Sequence, residues 1–175
     1  MAIKLNMSRA YDRVEWGYLE SLMRIMGFYD KWINLMMICV KIVSYSILVN
    51  GEPQGLIQPT RGIRQGDPLS PFLFLLCTEG LHGLITNAAI DGKLRGFSIC
   101  KHGPKLTHMF FFADDSLLFC RANTSEFEKI LNLQAMYESA SRQKINKEKT
   151  SLFFSKATPL TTKNVIKNLL GVQGI

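Results

Sequence analysis

The sequence predicts an α+β domain built on an antiparallel sheet with helices packed on one face. Three observations point there: two separate hairpin signals, helical spacing of apolar residues between them, and an element order of strand, helix, helix, hairpin, helix, hairpin, helix, strand. The 175 residues suffice for one domain, and an apolar content of 47% with a mean hydropathy of +0.07 can bury a substantial core, which excludes global disorder.

Residues 2–7 read as a short strand. Over residues 12–26, Val14, Leu19, Leu22, Met23 and Met26 recur at helical spacing, and Gly27 supplies a stop. Asp30 is the expected N-cap of a second helix reaching about residue 43. Residues 45–49 are β-prone, and Asn50-Gly51 provides positive φ at both centres of a type I′ turn, so a hairpin follows, with a return strand reaching Thr60. After a glycine-punctuated loop, Ser70-Pro71 opens a helix to about residue 89, with Ser at the cap and Pro in the first turn. Apolar runs at 107–112 and 116–119 flank Ala113-Asp114-Asp115, a second hairpin with a tight turn. Ser125 and Glu128 have capping-box spacing, and Phe127, Ile130, Leu131, Gln134, Tyr137 and Ala140 continue a helix over 125–141. Residues 152–154 form the last expected strand.

Several function classes are excluded or narrowed. The N-terminus lacks a charged segment leading into an apolar one, so no secretory signal is read. The most apolar stretch, 69–81, falls short of the roughly 20 residues that span a bilayer, so membrane insertion is not expected. Cys39, Cys77, Cys100 and Cys120 show no paired metal-ligand spacing and read as core thiols in a reducing compartment. The net charge of +7 is uneven: residues 93–175 hold thirteen basic against six acidic side chains, while residues 1–92 hold eight of each. Arg142, Lys144, Lys147, Lys149, Lys156, Lys163 and Lys167 form a tract opposed only by Glu148. Two readings of that tract stay open, a polyanion-binding surface and a solvated lysine-rich face.

Asp114 and Asp115 interrupt an apolar run, and their mutual repulsion needs an offset. A divalent cation would supply it, and so would exposure of the turn to water. Phe112-Ala113-Asp114-Asp115 resembles the aromatic-Ala-Asp-Asp signature of reverse transcriptases. Three further segments match that family in order: 4–12 (Lys-Leu-Asn-Met-Ser-Arg-Ala-Tyr-Asp) resembles its first palm motif, 61–71 (Arg-Gly-Ile-Arg-Gln-Gly-Asp-Pro-Leu-Ser-Pro) its second, and 143–150 (Gln-Lys-Ile-Asn-Lys-Glu-Lys-Thr) the segment after the catalytic hairpin in non-LTR retrotransposons.

The resemblance implies a polymerase palm over residues 1–155, without fingers or thumb, and a basic remnant of the connection toward the thumb over 156–175. It implies RNA-directed DNA synthesis, in which two Mg²⁺ ions, or Mn²⁺, support attack of a primer 3′-hydroxyl on a deoxynucleoside triphosphate opposite an RNA template. Asp114, Asp115 and the main-chain carbonyl of Met7 would be metal ligands. Tyr11 and Ala10, with Gln65 and Gly66, would line the incoming nucleotide; Tyr11 reads equally as a core aromatic. Lys149, or its neighbour Lys147, would neutralise or protonate pyrophosphate, and Arg142, Lys144 and Lys147 would meet nucleic acid. Arg61 and Arg64 read equally as phosphate ligands and as loop flanks. The family's location implies an intracellular protein of nucleus or cytoplasm.

The sequence departs from the family at Asn6, where the first motif carries the aspartate that bridges the two ions. An amide is nearly isosteric but neutral, so polymerase activity is expected to be weak or lost. A non-catalytic nucleic-acid-binding remnant of a retroelement is the alternative reading.

Overall fold

The computed structural model describes residues 1–98, 100, 103, 105–112 and 115–171, with residues 109–112 described by backbone alone. The elements are β1 (Ala2–Asn6), α1 (Trp16–Ile25), α2 (Asp30–Lys41), β2 (Tyr45–Val49), β3 (Glu52–Ile57), α3 (Ser70–Ile90), β4 (Phe97–Ser98), β5 (Lys105–Leu106), β6 (His108–Phe112), β7 (Asp115–Phe119), α4 (Thr124–Ser141), a 3-10 turn (Lys147–Lys149), β8 (Ser151–Phe153) and α5 (Leu160–Leu170). The predicted α+β class with antiparallel pairing is what forms. Its main sheet has the order β6-β7-β1-β8, and β2-β3 and β4-β5 stand apart as separate hairpins.

Alternation in the two central strands decides what faces the helices. Ile3 and Leu5 on β1 are fully buried, and their register partners Leu118 and Ser116 on β7 are buried with them. Ala2, Lys4 and Asn6 therefore project from the other face, as does Asp115, the register partner of Asn6.

The helices are amphipathic or wholly apolar according to their depth. Leu19 and Met23 of α1 and Ile33, Met37 and Val40 of α2 are buried, while the opposite faces are exposed. By contrast α3 buries Leu73, Phe74, Cys77, Leu81, Ile85 and Ala88 and packs against both α1 and α4. At 21 residues it is long and apolar enough to cross a membrane by length and composition, which corrects the expectation that this stretch falls short. Its buried contacts on two sides are those of a domain's central helix.

Local chemistry explains most boundaries. Asn50 (φ 52°) and Gly51 (φ 84°) form the turn expected of that dipeptide. The return strand β3 ends at Ile57 rather than Thr60. Asn123, not Ser125, caps α4: its side chain accepts from the Glu126 N–H at 2.7 Å. Tyr29 rather than Asp30 precedes α2, and Asp30 forms an ion pair with Arg24 of α1. Likewise Leu69 precedes α3, whose first residue is Ser70, and the Asp67 carboxylate accepts from the Leu69 N–H at 2.8 Å.

Helix α1 begins four residues later than the spacing predicts. Residues 8–13 form turns instead, with Arg9 at φ 51°, because their backbone is bound to a distant loop: Ile63 N–H donates to Tyr11 O (3.0 Å) and Gly62 N–H to Val14 O (2.7 Å). Gly62 has φ 87°, and a Cβ there would lie 3.1 Å from Asp12 O. The sequence did not predict β4, β5 or α5. Helix α5 packs on α4 through the buried Ile166 and Leu170. Two cysteines also depart from expectation: Cys77 and Cys120 are buried, but Cys39 and Cys100 are exposed.

Candidate nucleotide cleft and its basic flank

The β1–β7 pair positions the first part of the site. Asn6 Nδ2 donates to Asp115 Oδ1 at 3.1 Å, and Lys4 Nζ sits 2.8 Å from Asp115 Oδ2. The Lys4 ammonium, then the Asn6 amide, and at longer range the Lys149 charge hold the Asp115 carboxyl below the usual carboxylate range. Ala113 and Asp114 lie outside the described residues.

Beyond its last residue, β1 gains a short antiparallel neighbour. Met7 bridges Ile145, Ser8 N–H donates to Lys144 O (2.7 Å), and Asn146 N–H donates to Asn6 O (2.8 Å). The Asn146 side chain then accepts from the Glu148 and Lys149 N–H groups at 3.1 and 3.2 Å. The turn that carries Lys149 is thus anchored through Asn146 to Asn6.

A second wall comes from the loop before α3. Trp16 Nε1 donates to Gly62 O at 2.7 Å, and Gln65 Nε2 donates to Asp12 Oδ1 at 3.2 Å, so residues 61–66 are held against residues 11–16. Tyr11 stacks on Phe74 of α3, with ring centroids 5.2 Å apart and planes 17° apart. The packing fixes the ring at the cleft edge, so a core-aromatic role and a cleft-lining role are compatible.

Together these segments enclose an open cleft of about 740 Å³. Asn6, Met7, Ala10, Tyr11, Gln65, Gly66 and Lys149, all singled out from the sequence, line it. Ser8, Arg9 and Asn146 line it too and were missed. All three lie inside matched segments, and Asn146 also has the Asx side chain that starts a turn, a signal that could have found it. Arg142 and Lys144 lie elsewhere, in a cleft of about 390 Å³ with Arg13 and Arg61. Lys147 is exposed on the 3-10 turn, and Arg64 lines a small pocket beside Ser70 rather than either cleft.

The fit to a divalent cation is poor among the described residues. No group of three His, Cys, Asp or Glu side chains converges there. Both Asp115 oxygens are engaged, one by a cation and one by an amide, and residue 6 contributes no charge.

Comparison with known proteins places this arrangement. Residues 1–173 match the family described as "Reverse transcriptase (RNA-dependent DNA polymerase)". An uncharacterized mitochondrial protein of Arabidopsis thaliana is 52% identical over 69 residues, covering 39% of this chain and 56% of that protein. The retrovirus-related Pol polyprotein from the type-2 retrotransposable element R2DM of Drosophila melanogaster is 28% identical over 115 residues, covering 66% of this chain and 10% of the polyprotein. The chain thus spans little more than half of the first relative's length and a tenth of the second's. A telomerase from Candida albicans, solved in complex with a fragment of telomeric RNA, superposes with a TM-score of 0.65 at 14% identity, over 90% of this chain and 28% of that one, a likeness of fold. A family match along nearly the whole chain, with retroelement relatives beside it, leads to one assignment: the chain belongs to the reverse transcriptase family, and within it to the non-LTR retrotransposon type.

Proposed function

We propose that the chain is a polymerase palm that binds a deoxynucleoside triphosphate and nucleic acid but carries out nucleotidyl transfer poorly or not at all. The observation that supports this reading is the convergence of seven resemblance-implied residues, from three segments far apart in sequence, on one cleft, where Asn6 of the lining also donates to Asp115.

The residue chemistry suits a nucleotide. The Tyr11 ring, stacked on Phe74, is a flat wall against which a deoxyribose packs and against which a 2′-hydroxyl has little room. Gly66 (φ 85°), beside Gln65, lets the backbone come close to a sugar or phosphate. Lys149 brings a positive charge to the phosphate end, where it neutralises or protonates pyrophosphate.

By the resemblance, three carboxylates would hold Mg²⁺ or Mn²⁺, which would lower the cost of deprotonating the primer hydroxyl. Asp114, Asp115 and the Met7 carbonyl would be the ligands that remain in this chain, and Lys4 and Asn6 engage Asp115. Template RNA and primer DNA are the proposed partners. The Asn6 amide and the engagement of Asp115 also favour a second reading, a palm kept only for nucleic-acid binding.

Isothermal titration of a deoxynucleoside triphosphate tests the cleft. Gln65→Ala and Lys149→Ala are each expected to weaken binding several-fold, while Lys93→Ala, in the turn that follows α3, leaves it unchanged. Equal affinity in all these proteins would overturn the assignment of the cleft.

A further inference from the structure

The three segments that wall the nucleotide cleft also build a second cleft from their other ends. Residues 10 and 11 face the first and Arg13 the second; Gln65 and Gly66 face the first and Arg61 the second; Asn146 and Lys149 face the first, Arg142 and Lys144 the second. Four cations from three distant stretches of chain therefore surround one cavity of about 390 Å³.

Few carboxylates oppose them. Glu138 also lines the cavity, but its Oε1 accepts from the Ile145 N–H at 2.7 Å, and its Oε2 lies 3.5 Å from Lys144 Nζ. Glu15 lies 3.6 Å from Arg61. Two acids against four bases leave a net positive cavity. Arg13 Nε is buried and has no hydrogen-bond partner among the described residues, an arrangement that calls for an acceptor. Arg142 caps α4 in the left-handed conformation (φ 59°), which disfavours side-chain-bearing residues, so a long cation is kept where glycine would fit more easily.

We propose that Arg13, Arg61, Arg142 and Lys144 form a phosphate site that grips the backbone of a single nucleic-acid strand running past the nucleotide cleft. Three of the four are arginines, whose planar forks match phosphate oxygens in pairs, and among the described residues the lining holds no aromatic ring and, of apolar side chains, only the small Ala135, so contact is with backbone rather than sequence. The inference rests on the reading of the chain as a nucleic-acid-binding palm, but not on occupancy of the nucleotide cleft.

The test measures the anisotropy of a short labelled single-stranded oligonucleotide across a salt series. Arg61→Gln/Lys144→Gln is the principal variant, because both side chains are more than half exposed (55% and 58%) and their loss leaves folding intact. Arg13→Gln, with Arg13→Lys as its charge-conserving partner, is the second. The principal variant is expected to bind the strand at least tenfold more weakly. Its log K against log salt should be shallower by about 1.4, at ~0.7 for each lost contact to a single strand.

Lys156→Gln/Lys163→Gln removes the same charge outside the cavity and should change affinity less than twofold. An equal loss in that control would mean a diffuse basic surface and overturn the proposal. A second arm titrates inorganic tripolyphosphate: if it senses the principal variant while the strand does not, the site takes free phosphate and the strand assignment is wrong. Triphosphate binding in the nucleotide cleft, measured on the same proteins, separates the two readings. Its absence from all of them, with strand binding still tracking these four residues, would defeat the proposed function and leave this inference standing.

Discussion

Asn6 and Asp115, register partners across β1 and β7, are joined by a hydrogen bond from amide to carboxylate, 3.1 Å from Nδ2 to Oδ1. An aspartate at residue 6 would place a second carboxylate at the same contact. The amide therefore turns a position that would repel Asp115 into one that donates to it, and Lys4 completes the neutralisation at 2.8 Å.

Asn6→Asp should accordingly destabilise the protein without divalent cations. A lost hydrogen bond to a charged group, with repulsion in its place, costs about 1.5–3 kcal/mol. Thermal melts in chelator should show the decrease, and added Mg²⁺ should restore more stability to Asn6→Asp than to the unmodified chain. A variant as stable as its parent in chelator would show that the bond contributes nothing.

The His108 imidazole is buried and stacks on His82, with ring centroids 5.6 Å apart. Burial first and the His82 charge second push its pKa down to about 3. Between the ordinary histidine value and that folded value, the unfolded chain takes up a proton that the folded chain does not, so stability falls as pH drops. One proton gives a slope of at most about 1.4 kcal/mol per pH unit. Urea midpoints measured at neutral and mildly acidic pH should fall accordingly, and His108→Leu should flatten the difference.

Gly80→Ala should destabilise α3, although alanine is the better helix former. A Cβ at residue 80 would lie 2.0 Å from the Tyr18 hydroxyl, which donates to Cys77 O at 3.2 Å. Overpacking of this kind costs about 1–3 kcal/mol. Denaturant titration of the double variant Gly80→Ala/Tyr18→Phe should recover part of the loss, because the colliding atom is gone.

Arg142→Gly should stabilise the fold by about 0.5–1 kcal/mol, because the αL cap of α4 suits glycine. The melting temperature would rise by about 1–4 °C, whereas strand affinity should fall with the lost cation. A rise in both would remove Arg142 from the phosphate site.

Much of this molecule was legible in its sequence where a local rule decides the outcome. Asn50-Gly51 announced its turn because the dipeptide itself supplies the positive φ, and α3 was visible as a long apolar run opened by Ser70-Pro71. The start of α1 was misread because Val14 continues the helical spacing of Leu19, Leu22, Met23 and Met26, while hydrogen bonds from residues 62 and 63 to Val14 and Tyr11 hold this stretch outside the helix. Helix α5 escaped notice because Ile166 and Leu170 alone of its residues are buried, too few for a visible stripe. The motifs named seven residues that line the candidate cleft. They implied that Asn6 lies beside the acidic pair, and it does contact Asp115, but they could not show that Lys4 also reaches Asp115, since that depends on strand register, nor that Arg13 and Arg61 join Arg142 and Lys144, since no spacing links three segments so far apart.

The most direct test compares Mg²⁺ dependence of triphosphate binding in the unmodified chain and in Asn6→Asp, by titration calorimetry with and without the cation. With asparagine at residue 6, Mg²⁺ should alter affinity little; with aspartate restored, it should tighten binding at least tenfold. If Mg²⁺ tightens binding equally in both proteins, residue 6 is not what limits the site, and the explanation built on the Asn6–Asp115 contact is wrong.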